Sequence, residues 1–518
     1  MESEVEGPKT TTSYRKRWWT PEEDAAVRRK LDVHILPIMF CCFMFSFLDR
    51  TNIGNAKTSM VKALGLSDHE FVWLLTIFYI SFTAFQFLLI SYSIFPPRKY
   101  VATCIFVWGL CGTLQAVGHN WSSYMAFRFF LGVAEAGFSS GAAYYFSTLY
   151  PRREAGFRFS LFISAGAFSS SWSGALAYAL LHIKTGFEGW RALFLIEGLL
   201  TIVFAPVVWF FLPNNTATAW FLTDRERRIA AARLLNDNLI LLDDDPASAS
   251  SEKQDSEKQD PEKQGDGHEV RPTTASKETY RDLFNVKDAL LAFQYPLSFV
   301  AATLFFCVSL AASPFAVYLP TILEGLGYST IDSQGFSVPP YLCALATSLA
   351  GAYFCDRYGG RGLLSATMMM LGAIGYVVLA LVESNRTRYF ACIAIAISTF
   401  TSAPIIYFWA ISNQFNHSRR GLTLVLIGTL GQGGPFVGTR LFPKREGPRY
   451  KRGMLVCAGV LLLSFTIAIT MVVWMYFQNR KRQRLHPIGK PETQEEADER
   501  ERDLGKKATQ SVYFRWEY

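Results

Sequence analysis

Long apolar runs alternate with short polar segments along most of this chain. Runs of about twenty mostly apolar residues fall near 33–53, 71–95, 101–119, 122–149, 159–182 and 191–212, and again near 292–320, 335–355, 362–382, 389–412, 421–439 and 454–478. In helical form about twenty such residues cross the hydrocarbon core of a bilayer. Inside that core every backbone N–H and C=O needs a partner within the segment, so these runs predict helices. The expected fold is all-α and integral to the membrane: twelve transmembrane helices in two six-helix halves, 33–212 and 292–478. An N-terminal tail (1–32), a linker (213–291) and a C-terminal tail (479–518) complete the organisation. Residues 1–30 are polar and charged, and the first apolar run follows them directly, so that run is expected to serve as its own insertion signal.

The polar segments set the expected topology. Arg28, Arg29, Lys30, Arg98, Lys99, Arg152, Arg153 and Arg158 fall on one side, with Arg357, Arg361, Arg419, Arg420, Arg480, Lys481, Arg482 and Arg484. Basic loops stay in the cytoplasm, which places both termini there, in a multi-pass protein expected at the plasma membrane. One loop conflicts: Arg440, Lys444, Arg445, Arg449, Lys451 and Arg452 lie between the last two runs, on the other side. The linker carries a repeat, Ser251-Glu-Lys-Gln-Asp255, Ser256-Glu-Lys-Gln-Asp260 and Pro261-Glu-Lys-Gln-Gly265, which has too little apolar surface to order itself. Deleting 245–275 is therefore expected to leave surface expression and transport nearly intact; loss of folding in that deletion would show an ordered role.

Composition supports this picture and excludes others. Half of the 518 residues are hydrophobic and only 18% are charged, below the roughly 25% of soluble domains. The net charge of +8 is spread over loops and tails, so no nucleic-acid surface is expected. The nine cysteines lie in apolar stretches without metal-ligand spacing and read as small packing residues. No phosphate loop, metal cluster or nucleophile constellation occurs, so neither an enzyme nor a cofactor is expected. The lipid bilayer is the expected surrounding, and the chain is expected to act as a monomer. Asn120 and Asn385 open glycosylation sequons close to the expected membrane ends.

Ionisable residues inside membrane spans are costly and mark function. Span one carries Asp49-Arg50-Thr51-Asn52, span four carries Arg128 and Glu135, and span six carries Glu197. Arg128 and Glu135 are seven residues apart, so they share one helix face about 10 Å apart along the axis, a spacing suited to lining one cavity at two depths. Asp49 and Glu135 are placed to take up and release protons. Arg50 and Arg128 are placed to attract an anion, since the guanidinium fork bonds both oxygens of a carboxylate. Structural alternatives stay open: Asp49–Arg50 as an interfacial pair at the outer end of span one with Arg128 as a tether to it, and Glu197, near the outer end of span six, paired with Arg191 or another cation. Asp356, Arg357 and Arg361 surround a tight Gly359–Gly360 turn, where a charge cluster can latch helix ends as a gate.

These segments carry a family resemblance. Leu48-Asp-Arg-Thr-Asn-Ile-Gly-Asn-Ala-Lys57, Phe127-Arg with Phe130-Leu-Gly132 and Glu135-Ala-Gly-Phe138, Tyr144-Tyr145, Tyr150-Pro-Arg-Arg-Glu154, Gly189-Trp-Arg-Ala-Leu-Phe-Leu-Ile-Glu-Gly198 and Pro448-Arg-Tyr-Lys-Arg-Gly453 resemble the major facilitator superfamily. Within it they resemble the fungal anion:cation symporters related to allantoate, nicotinate and pantothenate permeases, over roughly 27–240 and 280–485. The resemblance implies proton coupling through Asp49 and Glu135, and substrate binding through Arg50, Arg128, Asn52 and the cavity tyrosine Tyr79. The implied function is proton-coupled symport of a small organic anion by alternating access. Export of a metabolite or toxin, and a non-transporting nutrient sensor, are the alternatives. The sequence departs from the family at Gln86-Phe-Leu-Leu-Ile90, where relatives read Glu-x-Pro-Ser-Asn. It also departs at Phe95-Pro-Pro-Arg-Lys99, which lacks the Gly and Asp of the first-half gate motif, and at Gly431-Gln-Gly-Gly-Pro435, where relatives commonly carry an Asn.

Overall fold

The computed structural model describes residues 18–182, 188–242, 296–413, 417–443, 446–447 and 449–485. Most of the linker (243–295) and the C-terminal tail beyond 485 lie outside them, as does the N-terminal tail before 18. Among the described residues the secondary structure is helical. The first half comprises α1 (Pro21–Leu64), α2 (Asp68–Ala84), α3 (Ser91–Ile94), α4 (Pro97–Leu114), α5 (Trp121–Ser147), α6 (Arg152–His182) and α7 (Gly189–Phe211). A polar helix α8 (Asp224–Leu242) follows. The second half comprises α9 (Pro296–Glu324), α10 (Thr330–Phe336), α11 (Val338–Tyr358), α12 (Arg361–Leu381), α13 (Asn385–Ser412), α14 (His417–Gly431), α15 (Gly433–Gly438) and α16 (Lys451–Leu485).

Eight helices, α1, α4, α7, α9, α11 with α10, α12, α13 and α16, are long and apolar enough to cross a membrane. The remaining four expected crossings are α2, α5, α6 and α14–α15, which pack at the seam between the halves together with α1, α9, α11 and α13. Facing other helices rather than lipid, these four keep serines, glycines and charges that lower their hydropathy. Two crossings expected as continuous runs are broken. The second leaves α-geometry after Ala84 for a 3₁₀ turn over Gln86–Ile90. The eleventh divides at Gln432, where Gly431, Gly433 and Gly434 lower helix propensity and Pro435 has no N–H to give.

The first helix is longer than expected. Thr20 and Glu23 form a capping box, Pro21 occupies the first position, and Gly65 closes the helix at φ 62°. Its 44 residues carry Asp49 and Arg50 in mid-helix, so they are not an interfacial pair at a helix end. Beyond them, α1 meets α9 at the end opposite the termini. A Cβ at Gly54 would lie 2.5 Å from the Val317 carbonyl oxygen, a backbone approach that only glycine allows. Nearby, the Lys57 ammonium stands 4.1 Å from the Tyr318 ring centre. The basic loop that conflicts with the topology rule lies at this end, where Arg440 covers Phe436 at 4.2 Å and Trp73 at 5.5 Å and Arg449 reaches Glu383 at 3.5 Å.

At the terminal end, α8 docks on the start of α1 and the start of α6 through ion pairs. Lys30 bonds Glu226 at 2.7 Å, Arg225 bonds Glu23 at 2.8 Å, and Arg233 bridges Asp24 at 2.9 Å and Glu154 at 2.5 Å. Arg158 grips Asp32 with two contacts of 2.5 and 2.7 Å. Burial pushes the Glu226 carboxyl up, but hydrogen bonds from Lys30 and Thr223 outweigh it and hold the group below its ordinary range. The Arg225 side chain and the Thr20 N–H likewise lower Glu23. A carboxyl depressed by folding stabilises the docked state above its unfolded value of about 4.3, and that contribution is lost as pH falls through the folded value. Hydrogen-exchange protection over 224–234, taken relative to the intrinsic exchange rate at each pH, should thus fall between pH 5 and pH 3 in the wild type. In Glu226→Gln the protection should already be lower at pH 6; unchanged protection at pH 6 would show that α8 is held by its apolar face instead.

Candidate functional site

Consecutive residues on a helix point about 100° apart, so Asp49 and Arg50 leave α1 in different directions. Arg50 reaches α5: its Nε and Nη2 both lie 2.7 Å from Glu135 Oε2. Ser46, one turn before Arg50 on the same face, donates to the same oxygen at 2.7 Å and receives Arg50 Nη2 at 3.2 Å. The Glu135 side chain is wholly buried, whereas 10% of that of Arg50 remains exposed. The arginine fork lies over aromatic rings, with its carbon 4.5 Å from the centre of Phe82, 5.4 Å from Phe78 and 6.0 Å from Phe47. These rings limit water around the pair and add cation–π attraction.

Asp49 turns the other way, toward α4, where its Oδ1 lies 2.9 Å from the Cβ position of Gly112. Arg128 donates from Nη1 to the Asp49 backbone carbonyl at 3.1 Å and is almost fully buried. The expected sharing of one face by Arg128 and Glu135 therefore joins both to α1, at two heights along the antiparallel pair. Each meets a different partner there. Glu197 is not paired with Arg191. Arg191 is bound to Glu188 at 2.7 Å and to the carbonyls of Ala116 and Gly118 at 2.8 Å each. Glu197 is fully buried, and neither of its carboxyl oxygens has a hydrogen-bond partner among the described residues.

The seam between the halves runs beside the Arg50–Glu135 pair. Tyr79 on α2 and Ser313 on α9 exchange a hydrogen bond of 2.8 Å across it. Phe47 meets Phe400 at 5.8 Å, while Tyr407 packs on Phe305 at 4.9 Å and on Phe159 at 5.9 Å. Asn52 is buried on α1; its Oδ1 accepts from Ser173 on α6 at 3.0 Å, and Asn55 donates to the same serine at 2.6 Å. Sequence reasoning missed Ser46, Ser173 and Ser313. Ser46 had a signal, since it stands four residues before Arg50 on one helix face; the two seam serines had none.

The Gly359–Gly360 turn has the expected geometry, with φ 72° and 75°. Arg361 extends to Ser412 on α13 at 2.5 Å, and Arg357 lies exposed with its Nη1 3.5 Å from the Tyr353 hydroxyl. The Asp356 side chain lies outside the described part of the structure. The sequon asparagines are engaged at helix starts. Asn120 Oδ1 accepts from the Ser123 N–H at 2.9 Å, and Asn385 donates to the Leu326 carbonyl at 2.8 Å. No cluster of three or more His, Cys, Asp or Glu side chains suited to a metal ion occurs among the described residues.

The chain is similar in sequence and fold to known proteins. The chain is 28% identical over 476 residues to the "Major facilitator-type transporter hxnP" of Emericella nidulans, covering 89% of this chain and 88% of that protein. It is 26% identical over 473 residues to the "MFS-type transporter efuF" of Hormonema carpetanum, covering 89% and 87%. Its fold matches the proton:xylose symporter XylE bound to 6-bromo-6-deoxy-D-glucose with a TM-score of 0.61 at 13% identity, over 88% of this chain and 96% of that one. It also matches an inward-facing, occupied bacterial homolog of the human lysosomal transporter Spinster, with a TM-score of 0.57 at 12% identity over 85% and 96%. The sequence profile of the Major Facilitator Superfamily matches residues 39–439, from within α1 to just past α15, and the chain belongs to that superfamily.

Proposed function

We propose that this secondary transporter is a proton-coupled symporter of small organic anions, working by alternating access of its two halves. The observation that carries the reading is the Arg50–Glu135 pair: a wholly buried carboxylate bound to an arginine that is still partly open at the seam. While Glu135 is ionised it occupies Arg50. Protonation cancels its charge and frees the guanidinium fork to take a substrate carboxylate in its place. Proton and anion then bind together, which is the requirement for symport. Arg128 adds positive potential from behind, and Asn52 and Tyr79 offer hydrogen bonds at the seam. Arg357 and Arg361, with Asp356, are the proposed gate at the terminal end. In this reading the protein works as a monomer in the plasma membrane with both termini in the cytoplasm.

The test is uptake of a panel of labelled carboxylates, nicotinate and pantothenate among them, by cells expressing the protein at external pH 5 and pH 7.5. At least one should accumulate faster at pH 5 and lose that advantage with a protonophore. Uptake indifferent to both would remove proton coupling.

A further inference from the structure

Glu197 takes no part in the cycle just described. It is fully buried on α7, and both of its carboxyl oxygens lack a hydrogen-bond partner among the described residues. Burying an ionised carboxylate without a partner costs several kcal/mol, so such a group carries its proton instead. Asp49 is in a similar position: it is 2% exposed, and its Oδ2 has no partner among the described residues.

The two carboxyls flank the same stretch of α4. Asp49 packs against Gly112, and Gly198, next to Glu197, packs against the Thr113 backbone, so neither site leaves room for a Cβ on the glycine. Across this stretch Asp49 interacts electrostatically with Glu197. Asp49 is within electrostatic reach of two cations, Arg128 on α5 and its own helix neighbour Arg50, and of the Glu135 carboxyl that Arg50 holds. Arg128 on α5 interacts with Asp49, and its Nε and Nη2 lack partners among the described residues. From α4 comes Cys111, and from the turn after it the amide of Gln115, bound to the Cys111 carbonyl at 3.5 Å. On α6, Glu154 and Arg158 lie toward one end and Tyr178 toward the other. On α7 itself Arg191 is held by Glu188 and two carbonyls.

We propose that Glu197 and Asp49 form a second proton site behind α1, in which at most one of the two carboxyls is ionised at a time. This rests on the proton-coupled reading above and adds a site distinct from the Arg50–Glu135 pair. When the site gives up a proton, the O–H bond of one carboxyl breaks, the proton leaves to water, and the remaining charge sits on Asp49, where Arg128 is placed to receive it. Glu197 stays neutral beside it. Two carboxyls coupled in this way titrate as a unit, each step belonging to the pair.

Infrared difference spectroscopy of the full-length protein in liposomes, titrated with pH alone, reads this directly through the protonated-carboxyl band. The wild type is expected to show a buried carboxyl titration that Asp49→Asn and Glu197→Gln both alter. Each variant should lose one carboxyl's intensity and move the remaining partner's step by at least about one pH unit, the shift that defines coupled sites. If Glu197→Gln leaves the Asp49 step in place, the pair is overturned. Should Glu197→Gln fail to fold, Asp49→Asn decides alone: the Glu197 band must move, and an unmoved band overturns the proposal. Loss of pH-dependent uptake in the wild type would instead sink the symport reading, a separate outcome.

Discussion

Glu135→Gln is expected to abolish accumulation driven by a pH gradient while leaving exchange of labelled for unlabelled substrate in place. The amide is permanently neutral and keeps the shape of the carboxyl, so it imitates the proton-loaded state. Arg50, held by two 2.7 Å contacts in the wild type, is then always available to the anion. Binding and the loaded half of the cycle survive. The empty carrier, which must release its proton before returning, stalls. Net uptake should fall by at least about 100-fold, equivalent to roughly 2.7 kcal/mol, with exchange reduced far less. Proteoliposomes with and without internal substrate separate the two modes. If exchange and net uptake fell together, Glu135 would be a substrate contact rather than a proton carrier. A variant silent in both but less stable to heat would make the pair structural. Arg128→Lys offers a companion test: it keeps the charge and loses the planar fork that reaches the Asp49 carbonyl, so weaker binding should precede any change in pH dependence.

Gly54→Val is expected to trap the transporter open at the end opposite the termini. The Cβ of the valine would meet the Val317 backbone at 2.5 Å, and backbone on both sides has little room to yield. Overpacking of this kind costs about 1–3 kcal/mol. Because α1 and α9 belong to different halves, the cost falls on the closed arrangement alone and shifts the equilibrium about 5–150-fold toward the open one. Transport should drop accordingly with normal expression. A cysteine introduced at Ser313, beside Tyr79 at the seam, should react faster with a membrane-impermeant thiol reagent in the Gly54→Val background than in the wild type. Unchanged transport would show that the halves do not need this approach in order to close.

The sequence by itself determined a great deal here, because membrane burial is a severe filter. Apolar runs of bilayer length forced helices, and the charges that survived inside them, at Asp49, Arg50, Arg128, Glu135 and Glu197, stood out against that background. Side chains at fixed spacing on one helix were legible too: Arg128 and Glu135 do lie on a common side of α5 toward α1. What the sequence did not contain was rotation and depth. Only the packing of α1, chiefly on α6 and α7 with α4 and α5 alongside, decided that Arg50 turns to Glu135 while its neighbour Asp49 turns to Gly112. Glu197 and Arg191 stand six residues apart on α7, about 240° around the helix, so their separation was legible in the sequence, whereas only packing brought Glu197 near Asp49. Helix ends were misjudged where polar residues inside a helix resembled a boundary, as at residue 53 of α1, and where Gly and Pro broke an apolar run, as at Gln432. Hydropathy records how a residue partitions between water and lipid. It carries no information on which neighbouring helix a given face meets, and that pairing settles which charges are matched and which are left without a partner.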